Sequence, residues 1–344
     1  MQRVETPFLN RPLVLETGRI ARQAHGAIWL QHGNMVILAT AVSASKLREG
    51  VDFFPLTVDY REKFTAVGKF PGGYIKRESR PTEKEILTAR CIDRPMRPLF
   101  PKGYFNEVQL ILQIESADPA EDPGALALTA ASAAVCISDI PFPAPIAAVS
   151  VAKIDGTLVV NAPLADLARA ELLFTIAGSR TKVVMIEGEA KEATEQEVNE
   201  AVLFGHQQLQ PLIALQEELI RKAGKPKREY TPILPSPALV KAVEAARPKI
   251  IEALDIKGKQ ERNTRLAEIQ KATLEPLQAD PAFAAENPMV FGMAYDDLVG
   301  SIIRDRIVQS GIRPDGRGLD EIRPITCEVG ILPRTHGSAL FTRG

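Results

Sequence analysis

Residues Ala125–Ser138 read Ala-Leu-Ala-Leu-Thr-Ala-Ala-Ser-Ala-Ala-Val-Cys-Ile-Ser, a run of helical length with no charged residue on any side. A helix that is apolar all round cannot lie on a surface and has to be covered by other elements. The run falls short of the roughly 18 apolar residues that a membrane span requires. The chain must therefore supply layers that bury it. Short runs rich in Val, Ile and Leu, bounded by Gly, Pro, Asp or Asn, are the candidates: 27–31, 35–42, 108–115, 146–154, 172–176 and 182–186. A second helix is expected over Pro81–Asp93, with Pro in its first turn and Glu83 and Glu85 complementing the N-terminal dipole. The order is neither regular βαβ alternation nor all strand, which selects an α+β class.

Apolar residues at helical spacing predict a long helix over Glu197–Ala223, with Val202, Leu203 and Phe204 inward and a kink at Pro211, closing a first domain over 1–223. A linker rich in Pro and charge follows from Gly224 to Pro237. An all-helical domain over 236–310 is expected from amphipathic stretches at 236–254, 259–273 and 295–310. Beyond Gly311 a turn at Arg313–Arg317 leads to strand-like composition over Ile331–Phe341. This last part, 311–344, reads as the opening of a second copy of the first domain. His25-Gly26 recurs as His336-Gly337, each followed at equal distance by Gly33 and Gly344, and Glu16-Thr-Gly18 matches Glu328-Val-Gly330 with a one-residue shift.

With 344 residues, 45% hydrophobic and 25% charged, the chain is globular, and its net charge of −1 announces no polyanion partner. Any grip on nucleic acid has to come from local clustering. Cys91, Cys136 and Cys327 lack the spacing of a metal site or disulfide framework, which fits a reducing cytoplasm. No apolar signal run occupies Met1–Arg11, so neither export nor membrane insertion is expected. HExxH, paired CxxC, Walker A and GxGxxG motifs are missing, leaving zinc, nucleotide-loop and dinucleotide chemistry unsupported. His25 and His336 recur before the same Gly and suit turn and packing roles, His206 suits a core position, and Asp118–Gly124 with its two prolines suits a surface turn.

Charge concentrates in one place. Lys76–Arg97 holds seven positive and four negative side chains. Lys76, Arg77 and Arg80 follow the Gly-rich stretch Gly68–Gly73, while Arg90 and Arg94 fall one helical turn apart, and Tyr74 precedes the loop cations. An aromatic beside Arg and Lys on a mobile loop is what single-stranded RNA requires, since bases stack on rings and phosphates pair with guanidinium forks. Glu78, Glu83, Glu85 and Asp93 leave open a solvated helix face with local ion pairs.

The motifs Asp52–Val58, Gly68–Gly72, Arg77–Pro81, Ile92–Phe100, Phe204–His206 and Leu332–Gly344 resemble those of the polynucleotide phosphorylase family, in that family's order and over essentially the whole chain. The resemblance implies an RNase PH-like core (ribosomal protein S5 domain 2-like), an all-helical domain and the start of a second RNase PH-like core. It implies a 3′-to-5′ phosphorolytic exoribonuclease of mRNA degradation, with inorganic phosphate as co-substrate, nucleoside diphosphates as products and a magnesium ion assisting. It further implies a ring-shaped homotrimer threaded by single-stranded RNA, with a helicase or endonuclease as possible partners. Carried over by position, Tyr74, Lys76 and Arg77 belong to the loop that narrows the channel, which in the family begins with two aromatics; here the second is Ile75. Arg80, Arg90, Arg94 and Arg97 fall on further RNA- or phosphate-contacting arginines. The family's phosphate-binding serines and magnesium-binding aspartates correspond to positions beyond Gly344, so no catalytic or metal residue is expected in this chain. A noncatalytic RNA-binding or ring-scaffold subunit is the alternative.

Overall fold

The computed structural model describes residues 1–48 and 53–344. Asp52, the first residue of one matched motif, lies outside the described residues. Two compact units divide the chain, Met1–Pro232 and Ile233–Gly344.

In the first unit, strands β1 (Gln2–Phe8), β2 (Arg11–Thr17), β3 (Gly26–His32), β4 (Met35–Ser43), β5 (Leu56–Glu62) and β6 (Val108–Ser116) form a six-stranded sheet in the order β1-β2-β3-β4-β6-β5. Only β5 runs parallel to its neighbour; the remaining pairs are antiparallel. Strands β7 (Ala147–Ile154), β8 (Thr157–Val160), β9 (Ala170–Gly178) and β10 (Val183–Ala190) form an antiparallel four-stranded sheet in the order β10-β9-β7-β8. Helices α1 (Glu83–Met96), α2 (Gly124–Ile137), α3 (Glu195–Gln208) and α4 (Gln210–Ala223) complete an α+β unit.

Helix α2 is buried at every position from Ala125 to Ile137. It packs against β3 and β4 of one sheet, β7 of the other, and α4. Its few polar groups fasten it: Ser132 Oγ accepts the Ile146 N–H at 2.9 Å and Thr129 Oγ1 the Ala148 N–H at 3.2 Å. The glycine of the first His-Gly pair has a steric cause, because a Cβ at Gly26 would lie 2.0 Å from the carbonyl oxygen of Ala134. The histidine beside it accepts the Ser43 N–H on Nδ1 at 3.0 Å, a packing role.

Several expectations require correction. Strands β1, β2, β5 and β8 have no counterpart in the sequence reading. The single kinked helix is two, α3 and α4, broken at Leu209 with Pro211 in the first turn of α4. Ala201 and Gly205 form its innermost face, while Leu203 is 56% exposed. The stretch from Gly224 does not behave as a free linker. Lys225 Nζ donates to the His25 carbonyl at 2.6 Å, and Arg228 pairs with Asp139 at 2.9 Å. Lys227 Nζ donates to the carbonyls of Val135, Cys136 and Ser138 at 3.1, 2.9 and 2.8 Å, closing the C-terminus of α2. Helix termini leave carbonyls without intrahelical partners, and a buried end has to find donors elsewhere.

In the second unit, α5 (Pro237–Val243), α6 (Arg247–Leu254), α7 (Lys259–Ala279) and α8 (Pro288–Ser310) share a core that includes Leu239, Ile250, Ile269, Phe291 and Leu298. Gly311, at φ +69°, ends α8. The expected strand over 331–341 is displaced: β11 (Ile325–Val329) and β12 (Ala339–Arg343) form an antiparallel hairpin, and most of 331–338 is its connection. Its register reproduces that of β2 with β3. Leu13 pairs with His32 and Glu16 with Trp29, while Ile325 pairs with Arg343 and Glu328 with Leu340. The matching glycines, Gly18 with Gly330 and Gly33 with Gly344, all take positive φ. The repeat in the sequence is therefore a repeat in the backbone.

Replacing Lys227 by Met should destabilise the first unit by about 1–3 kcal/mol, because three carbonyls lose their donor. Trp29, the chain's single tryptophan, lies in β3 and makes urea unfolding followed by its fluorescence specific to this unit. An unchanged midpoint would show that the lysine does not cap the helix.

Candidate nucleic-acid interface

The basic segment starts from the far end of β5. A 3₁₀ turn at Phe64–Val67 ends on Gly68 at φ +68°, closed by Gly68 N–H to Thr65 O and Lys69 N–H to Phe64 O, both 3.0 Å. The far side is held equally firmly. The Glu78 carboxylate accepts the Phe64 N–H at 3.1 Å, and the Ser79 carbonyl accepts from the Arg61 guanidinium at 2.7 Å. Between these clamps, residues 70–77 make no hydrogen bond, ion pair or ring contact with any described residue. The result is a loop with fixed ends and a free crown.

Helix α1 is started by Thr82 and Glu85 in a capping box, so Pro81 precedes the helix and does not lie in its first turn. Glu85 is buried, and burial alone would raise its pKa. The carboxylate also accepts from the Thr82 N–H at 2.6 Å, the Glu62 N–H at 2.8 Å and the Thr82 hydroxyl at 2.9 Å, with Arg61 nearby, and is held below its ordinary value. One carboxylate thus joins the start of α1 to the end of β5.

Around this frame the expected RNA contacts separate into three kinds. Tyr74, Lys76, Arg77 and Arg80 are exposed, the Tyr74 ring entirely so, and the three cations have no partner among the described residues. Arg90 is also unpaired and lines a groove of about 370 Å³ between α1 and the β5 edge, together with Ile86, Ala89 and Asp93. Arg94 turns the other way and pairs with Glu187 on β10, so its spacing from Arg90 does not make a two-arginine clamp. Both partners of that pair are more than half exposed, and such a pair contributes little and exchanges readily. Arg97 is a correction. Its guanidinium holds Asp93 at 2.6 and 3.0 Å and the carbonyls of Phe54 and Leu56 at 2.8 and 3.1 Å, and it lies 5.9 Å from the Phe54 ring centre. Arg97 is structural, joining α1 to the start of β5.

Two further residues stand here: Phe70, 87% exposed in the same crown, and Lys69, whose N–H closes the Gly68 turn while its exposed ammonium has no partner among the described residues. The signal is in the sequence, since both lie inside the Gly-rich stretch Gly68–Gly73, which the sequence reading uses for its flexibility and as a family motif but not for its ring and ammonium.

A larger cavity, about 690 Å³, opens elsewhere in this unit, lined in part by Arg11, His32, Lys84, Glu121 and Asp122. Its charges answer one another, Arg11 with Glu121 at 2.8 Å and Lys84 with Asp122 at 3.5 Å. Of the carboxylates of the Asp118–Gly124 turn, Glu121 and Asp122 are thereby paired, while Asp118 accepts the Ala120 N–H at 3.0 Å. Among the described residues no group of three or more His, Cys, Asp or Glu gathers as a metal site would require, so no metal ligand is assigned. Cys91, Cys136 and Cys327 are all free thiols, and Cys327 is exposed.

The fold of the first unit has relatives. Rice (Oryza sativa) Rrp46, a solved structure, matches with a TM-score of 0.51 at 13% identity, over 61% of this chain and 95% of its own. At that identity the likeness speaks for the fold alone. The model described as "3′ exoribonuclease family, domain 1" matches residues 10–141, "3′ exoribonuclease family, domain 2" matches 144–208, and "Polyribonucleotide nucleotidyltransferase, RNA binding domain" matches 238–318. Fold and matches together define the class, an RNase PH-like chain of the 3′ exoribonuclease type. Along its whole length the chain is similar to polyribonucleotide nucleotidyltransferases: that of Syntrophotalea carbinolica at 46% identity over 100% of this chain and 49% of the relative, and that of Chloroflexus aurantiacus at 46% over 99% and 46%. The protein of Geobacter sulfurreducens shares 46% over 99% and 49%. The chain belongs to the polyribonucleotide nucleotidyltransferase family, whose amino-terminal part it resembles. It spans about half the length of the curated relatives it matches.

Glu85 yields a pH prediction. Because its folded-state pKa is depressed, its contribution to stability is complete above the ordinary value of 4.5 and is lost as pH falls through the folded value. Glu85→Gln should therefore lower the urea midpoint at neutral pH, and the gap to the parent should narrow stepwise below 4.5. A gap independent of pH would remove the carboxylate from this role.

Proposed function

We propose that this chain is the RNA-holding part of a phosphorolytic 3′-to-5′ exoribonuclease, a reversible polyribonucleotide nucleotidyltransferase acting in mRNA degradation. The observation that carries the reading is the loop crown: unpaired cations and an exposed tyrosine, held by fixed ends, in a chain of this family. In the reaction, an oxygen of inorganic phosphate attacks the phosphorus of the 3′-terminal phosphodiester. The bond to the penultimate nucleotide's 3′ oxygen breaks, that oxygen takes up a proton, and a nucleoside diphosphate leaves. Catalysis of such a transfer is mostly positioning and electrostatics.

The role of the residues in hand is to hold the substrate. Lys76, Arg77 and Arg80 meet phosphates, Tyr74 offers a face to a base, and Arg90 extends the cationic track along α1. The helical unit, through its match to an RNA-binding family model, adds a second contact with the strand. Magnesium would neutralise charge developing on the transferred group. A homotrimeric ring around a channel, cytoplasmic location and association with a helicase or endonuclease complete the reading. No described helix is long and apolar enough to cross a membrane.

Incubating the full-length protein with poly(A), magnesium and inorganic phosphate should release ADP in proportion to phosphate. RNA binding without that release would leave the noncatalytic scaffold reading in its place. For this chain alone, replacing Lys76, Arg77 and Arg80 together by Ala should lower the slope of log affinity against log salt by about two, since each single-strand phosphate contact adds roughly 0.7. An unchanged slope would mean that the loop does not touch RNA.

A further inference from the structure

We infer that Phe70, with Lys69 beside it, is a second base-stacking platform for single-stranded RNA, on the same loop as Tyr74. The inference rests on reading this loop as an RNA grip. A scattered exposed apolar residue needs no explanation. Here two aromatic rings, 87% and fully exposed, stand on one short span, and neither touches any other described ring. Every charged residue on that span, from Lys69 to Arg77, is a cation: Lys69, Lys76 and Arg77. None of the three side chains has a partner among the described residues, and the nearest carboxylate in sequence, Glu78, is committed to the Phe64 N–H. A single-stranded polyanion whose bases each carry a flat apolar face satisfies rings and cations together.

The two rings are mounted differently. Phe70 follows Gly68 by two residues, and that turn is fixed by two backbone hydrogen bonds. Pro71 then restricts residue 70 to an extended backbone. Tyr74 comes after Gly72 and Gly73, where an added side chain would meet nothing within 4 Å, and Gly73 takes φ +73°. Phe70 thus follows directly on an anchored turn, whereas Tyr74 follows two glycines. Three residues lie between them, at most about 13–14 Å of extended chain, room for a few bases at roughly 3.4 Å each along a strand. Ile75, 72% exposed beside Tyr74, has no π face and cannot take this part.

The test measures binding of labelled oligoadenylate, and of an abasic ribose-phosphate oligomer of equal length, to the chain and its variants. Phe70→Ala should weaken oligoadenylate binding by about tenfold, within the roughly 5- to 150-fold that one stacked base is worth. The salt slope and the affinity for the abasic oligomer should not move, and Phe70→Trp should restore binding. If Phe70→Ala binds like the parent while Lys76→Ala with Arg77→Ala lowers the salt slope, the grip stands and the second platform does not. If neither variant changes binding, the grip itself fails and takes the platform with it. A changed sedimentation coefficient with unchanged RNA affinity would make the ring a protein contact and overturn the inference.

Discussion

Helix α2 offers no polar face, and the first unit is arranged around that fact. One sheet covers it from the side of β3 and β4, the other from the side of β7, and α4 closes a further side. Burial on this scale is the dominant favourable term in folding, but it obliges every polar group on the helix to be met. Ser132 and Thr129 meet the strand side, Lys227 meets the C-terminus, and Gly26 gives up its side chain to let the helix backbone in. With α2 placed, the sheet carrying β6 and β5 is placed, and β5 in turn sets the base of the loop. Glu85 and Arg97 then dock α1 to the two ends of β5. The position of the loop crown is thus inherited from the most apolar segment of the chain.

Much of this was legible in the sequence. The apolar helix, six strands and the α+β class follow from composition and period, and the His-Gly repeat marks a second copy of the opening, although the hairpin that realises it, β11 with β12 in the register of β2 with β3, lies beside the strand expected over 331–341. What escaped has identifiable causes. Strands β1 and β2 read Gln-Arg-Val-Glu-Thr-Pro-Phe and Arg-Pro-Leu-Val-Leu-Glu-Thr, with prolines and charges that suit the border of a sheet but hide a strand from any apolar count. Strand β5 carries Asp59, Arg61 and Glu62 because it is the opposite edge. The basic run at 224–228 looked like a solvated tether, since a lysine's carbonyl partners some 90 positions earlier leave no trace in local composition.

The same distinction divides the interface. Charge density drew attention to Lys76–Arg97, and a count of cations cannot separate those that face solvent from those that tie the fold. Arg97 and Lys76 are alike in the sequence. In the structure one is held by a carboxylate and two carbonyls and the other by no described residue. The fold, shared with rice Rrp46 at 13% identity, does not decide between these roles, because function resides in sites carried by a fold. What decides is the arrangement of firm ends, at Gly68 on one side and Glu78 and Ser79 on the other, around a span free to meet a ligand. Ordering a short span of fixed ends on binding costs less entropy than ordering a free tail.

The lysine that closes α2 also has a consequence during synthesis. Helix α2 leaves the ribosome some 90 residues before Lys227 does, an interval of about 5–18 s at 5–20 residues per second. Through that interval the nascent chain carries its greasiest segment without the donor for its last carbonyls and without α4 over its flank. The first unit cannot seal the end of α2 until its final residues arrive.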